Sequence, residues 1–438
     1  MQIEVGDKVI VKSKNGSHEG IYMPSANKDV EVIKLDSGYN IGIDKENVTE
    51  IKVVAKDKEH FSVKVDKPAI NPTLPFVSIL HTGGTIASKV DYQTGGTVSR
   101  FTPEELLAMF PELKQYANIR SRLIKNMWSQ DMRFEHYNLI AKEVEKELKA
   151  GAKGVIVTQG TDTMHYTSAG LAFVLEGLSS PVILVGAQRS SDRGSSDAYM
   201  NLINAVYFIA HSDFGEVGIC MHENMDDNNC LILPATKSRK MHTSRRDAFR
   251  PINTLPWARV NYAGKEITYL KNDYHKAESN GSANSKLTLK LFKEDIKVAI
   301  LKQTTNMYAE QFLSYKGYSG LVIESTGLGC LPITEKDEST SESGKIFDAV
   351  KTLIKNKVVV VEAPQTIYGR LVLNVYSDQR QAQEIGVVGC FSDMTPETTF
   401  IKLAWLLSNH NHDKAKELLL QNLRGEITEQ TDPNTFLY

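Results

Sequence analysis

The sequence predicts an α/β protein. A mostly parallel sheet covered by helices, in a large and a small domain, follows a small β-barrel. Two observations predict this. After Leu74, short apolar runs alternate with amphipathic helical patterns, which is how strands and crossover helices of a parallel sheet read. Residues 1–53 carry only short β-like runs separated by turn signals. At roughly 100–200 residues per domain, a chain of 438 residues has room for both parts.

The first 53 residues hold apolar runs at Val9-Ile10-Val11, Ile21-Tyr22-Met23, Val30–Ile33, Tyr39–Ile43 and Val48–Val53. Turn residues separate them at Asn15-Gly16, Ser25-Ala26-Asn27, Asp36-Ser37-Gly38 and Asp44. Short strands with such turns predict an SH3-like barrel, with a β-meander packed on the main body as the alternative. Residues 54–74 are charged and then spaced by Pro68 and Pro72, with Pro75 directly after them, which predicts a linker.

Buried strands are expected at Phe76–Leu80, Gly154–Thr158, Val182–Val185, Val217–Met221, Val298–Leu301, Leu321–Glu324 and Val358–Val361. The clearest helix is Arg133–Ala150, where Phe134, Tyr137, Ile140, Ala141, Val144 and Leu148 share a face and Gly151 follows as a cap. Further helices are expected at Pro103–Phe110, Tyr166–Leu178, Asp197–His211, Gly344–Asn356, Pro396–Asn409 and Asp413–Leu423. A polar stretch at Asn272–Lys286 separates a domain at 75–285 from one at 286–438.

Composition removes several classes. The chain is 41% hydrophobic, enough for a real core. Lys+Arg (51) nearly balances Asp+Glu (53), so no global basic field announces nucleic acid or a membrane surface. Cys220, Cys230, Cys330 and Cys390 show no C-x-x-C spacing, which argues against a zinc knuckle or a disulfide framework. No apolar run has signal-peptide or membrane-spanning character. The expectation is a cytoplasmic protein with no metal.

Four segments carry chemistry. The first strand runs into His81-Thr82-Gly83-Gly84-Thr85-Ile86-Ala87, where glycines let backbone N–H groups approach a ligand. Read alone, it is also an ordinary βα turn. The second strand ends in Gln159-Gly160-Thr161-Asp162-Thr163-Met164. Its hydroxyl and carboxylate sit at a helix start, where they serve a reaction or simply cap. Ser129-Gln130-Asp131-Met132 precedes the Arg133 helix with the same two options. The cationic run from Thr236 to Phe249 is by default a solvated loop, but a lysine drawn out of water becomes a base. Together these make a constellation for acyl transfer through a hydroxyl, which requires a base and an oxyanion hole.

On these motifs the chain resembles the asparaginase/glutaminase family over most of residues 75–425. Lys240, nine residues before Phe249, and Asp393-Met394-Thr395-Pro396-Glu397 at the start of a late helix add to the match. The resemblance implies that Thr85 is the nucleophile and that Thr161, Lys240 and Asp162 form a relay beside it. It implies that Tyr92 approaches the nucleophile in a closed site. Ser129 and Gln130 would hold the substrate's α-carboxylate and α-amino group, Asp162 would face the α-amino group, and Gly84 and Gly160 would complete the substrate-binding set.

A barrel ahead of such a body is similar to the D subunits of archaeal glutamyl-tRNA(Gln) amidotransferases. Three segments strengthen that likeness: Asn126–Met132, Arg189–Asp197 and Met241–Phe249. Membership would imply a glutaminase that delivers ammonia to a partner, the E subunit of the amidotransferase. The partner would use ATP and Mg to activate glutamate on tRNA and amidate it. A dimer of this chain would carry two partners in a heterotetramer. A free L-asparaginase with an accessory barrel, and a non-catalytic module that binds a small molecule, are the competing readings.

Overall fold

The computed structural model describes residues 3–4, 6–23, 25, 28–35, 40–56, 70–84, 88–90, 97–99, 110–189, 196–277, 284 and 286–437. Thr85, Tyr92, the expected helix before Phe110 and most of the proline-spaced linker lie outside them.

The N-terminal strands are β1 (Lys8–Ser13), β2 (Gly16–Met23), β3 (Val30–Leu35), β4 (Asn40–Asp44) and β5 (Val48–Ala55). They form an antiparallel sheet in the order β4-β3-β2-β1-β5. Ile41 and Ile43 from β4 and Val48, Ile51 and Val53 from β5 pack against the same buried trio, Val9, Val11 and Ile33. Residues from both sheet edges meeting in one core require the sheet to curl around it.

The main body is built on an eight-stranded sheet. Its strands are β6 (Phe76–His81), β7 (Asn118–Leu123), β8 (Gly154–Thr158), β9 (Val182–Val185), β10 (Val217–His222), β11 (Cys230–Pro234), β12 (Ala258–Asn261) and β13 (Glu266–Tyr269). The order is β13-β12-β11-β10-β9-β8-β6-β7. From β10 through β7 every pairing is parallel, whereas β11, β12 and β13 are antiparallel additions at the other edge. The chain goes from β6 outward to β7 and returns on the far side to β8. The sheet's topological switch point therefore lies between β6 and β8, where open α/β sheets form their clefts.

Both faces of this sheet are covered. Leu80, Val155, Val157, Val182 and Leu184 point to a core shared with helices α1 (Phe134–Lys149) and α2 (Met164–Val174). Val77, Ile79, Ile156, Ile183 and Val185 point to a second core under α3 (Ala198–His211). α1 ends as expected at Gly151, whose φ of +87° is the left-handed cap that glycine adopts at little cost. α2 is shorter than the expected Tyr166–Leu178, because Leu175–Glu176 leaves the helix to pair with Thr288–Leu289.

The C-terminal domain has a three-stranded parallel sheet of β14 (Val298–Lys302), β15 (Gly320–Ser325) and β16 (Val359–Pro364). Helix α4 (Ser341–Lys355) covers one face and α5 (Pro396–Asn409) the other. Val322, Val359, Val361, Ile401, Leu403 and Trp405 join the same core as α1 and α2, so the two domains share a continuous apolar interior. Thr395 caps α5 by accepting the Thr398 N–H at 3.2 Å, with Pro396 in the first turn.

Glu362 on β16 is fully buried, and burial pushes its carboxyl from 4.5 to about 7, with Ser325 partly offsetting that rise. A group whose folded-state value is raised holds its proton in the native state. Its favourable contribution is complete below about pH 4.5 and is lost as pH rises through about 7. Glu362→Gln should therefore stabilise the chain at pH 8 by up to about 3 kcal/mol and at pH 5 by less than about 1 kcal/mol. Urea unfolding at the two pH values measures this, and an equal effect at both would contradict it.

Candidate active site

The parallel register places His81 of β6 opposite Thr158 of β8. Thr82 then donates both its N–H (3.0 Å) and its Oγ1–H (2.9 Å) to the Thr158 carbonyl. His81 is buried between Thr158 Oγ1 (2.8 Å at Nδ1) and Ser121 Oγ (2.7 Å at Nε2). Burial lowers the imidazole to about 4, so it is neutral at pH 7 and links strand ends rather than moving protons.

Beyond these bonds the two tips press on each other. Gly84 has a φ of +83°, and a Cβ there would lie 2.2 Å from the Gly160 nitrogen. A Cβ on Gly160 would in turn meet the Ser129 side chain at 2.9 Å. At Gly84, with its positive φ and its approach to backbone, only glycine permits this packing, and it brings the residues flanking Thr85 and Thr161 together. Gly186, at the end of β9, does the same for Thr161 itself: a Cβ there would lie 2.6 Å from the Thr161 methyl.

Thr161 is buried at the start of a short turn, Thr161–Thr163, that leads into α2. Lys240 reaches it from strand Ser238–Lys240, which pairs antiparallel with Phe249–Pro251 so that Lys240 faces Phe249. The Lys240 ammonium donates to Thr161 Oγ1 at 2.8 Å and to Asp162 Oδ1 at 2.7 Å. The lysine side chain is 10% exposed, while that of Asp162 is 66% exposed. The carboxylate thus faces the cleft and the ammonium lies behind it. Ser129 donates to Asp162 Oδ2 at 3.4 Å, and Thr163 Oγ1–H to the Ser129 carbonyl at 2.6 Å. Gln130 is exposed in the same turn.

A cavity of about 440 Å³ opens here, lined among others by Asp162, His165, Tyr166, Arg239, Lys240 and Glu397. Arg239 pairs with Glu397 at 3.0 Å, and burial still holds the Glu397 carboxyl above the usual range. His165 is buried, and desolvation, with the Arg239 and Lys240 charges beside it, lowers its imidazole to about 3. Among the described residues no three His, Cys, Asp or Glu side chains converge on a metal position.

Of the residues singled out from the sequence, the structure brings together Gly84, Gly160, Ser129, Thr161, Asp162 and Lys240. It adds His165, Gly186, Arg239 and Glu397, which sequence reasoning did not assign. Further along the cationic run, residues 241–245 are exposed as a solvated loop, although Arg245 donates to Asp247 (2.8 Å), and Arg246 donates to Asp227 (2.5 Å).

Comparison with known proteins agrees with this architecture. A model of the asparaginase N-terminal domain matches residues 76–275, one of the glutaminase/asparaginase C-terminal domain matches 297–419, and one of the GatD N-terminal domain matches 3–54. The D subunit of the glutamyl-tRNA(Gln) amidotransferase from Pyrococcus furiosus is 46% identical over 99% of this chain and 97% of its own length. The D subunit from Thermococcus kodakarensis is 44% identical over 99% of this chain and 96% of its own. That of Methanococcus maripaludis is 40% identical over 98% and 99%. Among solved structures, the thermostable L-asparaginase from Thermococcus kodakarensis superposes with a TM-score of 0.68 at 26% identity, covering 81% of this chain and all of that one. A probable cytoplasmic L-asparaginase from Campylobacter jejuni gives 0.63 at 26% identity over 80% of this chain. An asparaginase-fold body behind a GatD-type N-terminal domain, matched end to end by curated relatives, places the chain in the family of glutamyl-tRNA(Gln) amidotransferase D subunits.

Proposed function

We propose that the chain is the glutaminase subunit of an amidotransferase that converts Glu-tRNA(Gln) to Gln-tRNA(Gln), hydrolysing glutamine at the tips of β6 and β8. The observation that carries this is the Lys240–Thr161–Asp162 cluster, held against the Gly84 turn. In the proposed cycle the Thr85 hydroxyl attacks the glutamine Cδ, and backbone N–H groups near Gly83-Gly84 and Thr161 stabilise the oxyanion. The hydroxyl proton ends on the departing nitrogen, which leaves as ammonia. Water then attacks the ester, releases glutamate and restores the Thr85 hydroxyl.

Substrate orientation follows from charge. Asp162 exposes its carboxylate to the cleft, where a substrate α-ammonium group binds. Ser129 sits beside it to receive the α-carboxylate, with Gln130 next to it in the same turn to share that role. Tyr92 closes over the nucleophile. Ammonia passes to a partner, the E subunit, which binds ATP and Mg and activates glutamate on the tRNA. The assembly is a dimer of this chain with two partners, and it works in the cytoplasm. The near balance of charge, with 51 basic and 53 acidic residues, fits a chain that leaves most tRNA contact to its partner.

Thr85→Val and Thr161→Val should each abolish ammonia release from glutamine in the complex, since the first removes the proposed nucleophile and the second the hydroxyl that Lys240 holds. Amidation driven by added ammonium should persist, because that step belongs to the partner's site. Full glutamine-dependent activity in Thr161→Val would refute the assignment. Assaying asparagine and glutamine with and without partner and Glu-tRNA separates this reading from a free asparaginase, which needs neither.

Gly84→Ala tests the geometry instead of the chemistry. Its Cβ would lie 2.2 Å from the Gly160 nitrogen, so the tips must separate. Displacing reacting groups by about 1 Å costs roughly 100-fold, and glutamine hydrolysis should fall by that order while ammonium-driven amidation is unchanged. Retained hydrolysis would contradict the apposition.

A further inference from the structure

A second, larger cavity of about 620 Å³ lies at the other end of the main sheet. Glu216 and Val217, at the amino end of β10, border it, as does Pro234, where antiparallel β11 finishes. The catalytic tips lie at the carboxyl ends of β6 and β8. The volume is that of a small-molecule site.

Its wall has an unusual charge pattern. Lys271 stands over the Trp257 ring with Nζ 4.3 Å from the centroid and donates to Thr254 Oγ1 at 3.0 Å. Its acidic contact, Asp273 at 3.4 Å, is 71% exposed and easily displaced. Glu216 accepts the His275 backbone N–H but makes no ion pair among the described residues. Burial holds its carboxyl above the usual range. The Trp257 Nε1–H is buried with no hydrogen-bond partner among the described residues. Leu175 and Leu178 supply apolar surface. A half-buried acid that makes no ion pair among the described residues, though the His275 and Lys271 charges draw its carboxyl down, and a lysine with a weak anion, in one cavity beside an indole, suit a ligand that carries both charges.

We propose that this cavity is a second ligand site that takes a free α-amino acid, its ammonium on Glu216 and its carboxylate on Lys271, with the side chain against Trp257, and that it acts on the catalytic lysine through one short strap. Thr236 and Lys237 line the cavity, and Lys240 is three residues further along. The strap is held at both ends to the segment that opens α5. Lys237 Nζ donates to Asp393 Oδ2 at 2.8 Å with both groups buried, and Thr398 Oγ1 donates to the Thr236 carbonyl at 2.7 Å. Arg239 then pairs with Glu397 next to the catalytic cavity. A ligand that shifts the Thr236–Lys237 end moves Lys240 relative to Thr161.

Binding at this site is independent of the catalytic reading; only its effect on turnover rests on that reading. The experiment is calorimetric titration of the full chain, in complex with its partner, with L-glutamine and L-glutamate in a Thr161→Val background that suppresses turnover. A binding event should be present there and weakened at least tenfold by adding either Lys271→Met or Glu216→Gln. In the enzyme with Thr161 intact, either variant should keep the hydrolysis rate at low glutamine and lose the change in kcat that high L-glutamate produces. Lys271→Arg should retain binding, which controls for misfolding of the methionine variant. Absence of any event sensitive to both Lys271→Met and Glu216→Gln would overturn the proposal. Hydrolysis persisting in Thr161→Val would instead sink the catalytic reading and leave the second site standing.

Discussion

The site depends on one contact between two glycines. Gly84 presses on Gly160 so closely that a Cβ on Gly84 would lie 2.2 Å from the Gly160 nitrogen, and Gly160 in turn packs against Ser129. The contact sits at the place where the sheet reverses its winding, so the two chains leave adjacent strands and diverge. Behind it, Thr82 binds the Thr158 carbonyl twice and His81 spans Thr158 and Ser121, both in a buried setting where a lost hydrogen bond is expensive. A rigid, neutral support of this kind places polar groups without adding a competing charge.

The lysine comes from far away in the chain and needs its own scaffold. A long cation near an apolar core is tolerated only if it is paired. The Thr236–Lys240 strap carries three cations, and each has its own acid: Lys237 with Asp393, Arg239 with Glu397, and Lys240 with Asp162. Two of those acids belong to the segment that opens α5, so the C-terminal domain sets where Lys240 of the larger domain lies. The domains share an apolar core and also a line of charge pairs, and both fix the same few residues.

Much of the architecture was legible because buried parallel strands are continuous apolar runs. The expected strands at Gly154–Thr158 and Val182–Val185 match the observed ones residue for residue. Cys230–Pro234 escaped notice although it is buried throughout; two others that escaped are the edge strands of the sheet. Asn118–Leu123 carries Arg120 and Arg122, which pair with Glu147 of α1, and Glu266–Tyr269 has no fully buried residue. Their apolar signal is weak because only part of each strand meets a core. At the site, Thr161, Asp162 and Lys240 were legible because their motifs require unusual residues in fixed order. Gly186, His165 and the Arg239–Glu397 pair were not, because a glycine after a strand, a lone histidine and an ion pair 158 residues apart in sequence have no local pattern. Thr85 and Tyr92 rest on the sequence resemblance, since both lie outside the described residues.

The most direct test of the central claim is to find where an electrophilic glutamine attaches. In a diazoketone analogue of glutamine the diazo carbon takes the place of the amide nitrogen; once that carbon is protonated, the nearest hydroxyl displaces dinitrogen from it, loses its proton and is left as a stable ether. Mass mapping of the labelled complex should locate one adduct per chain on Thr85, and Lys240→Met should slow its formation at least tenfold. An adduct on a residue away from the β6 and β8 tips, or labelling indifferent to Lys240, would contradict a single site made where Gly84 meets Gly160.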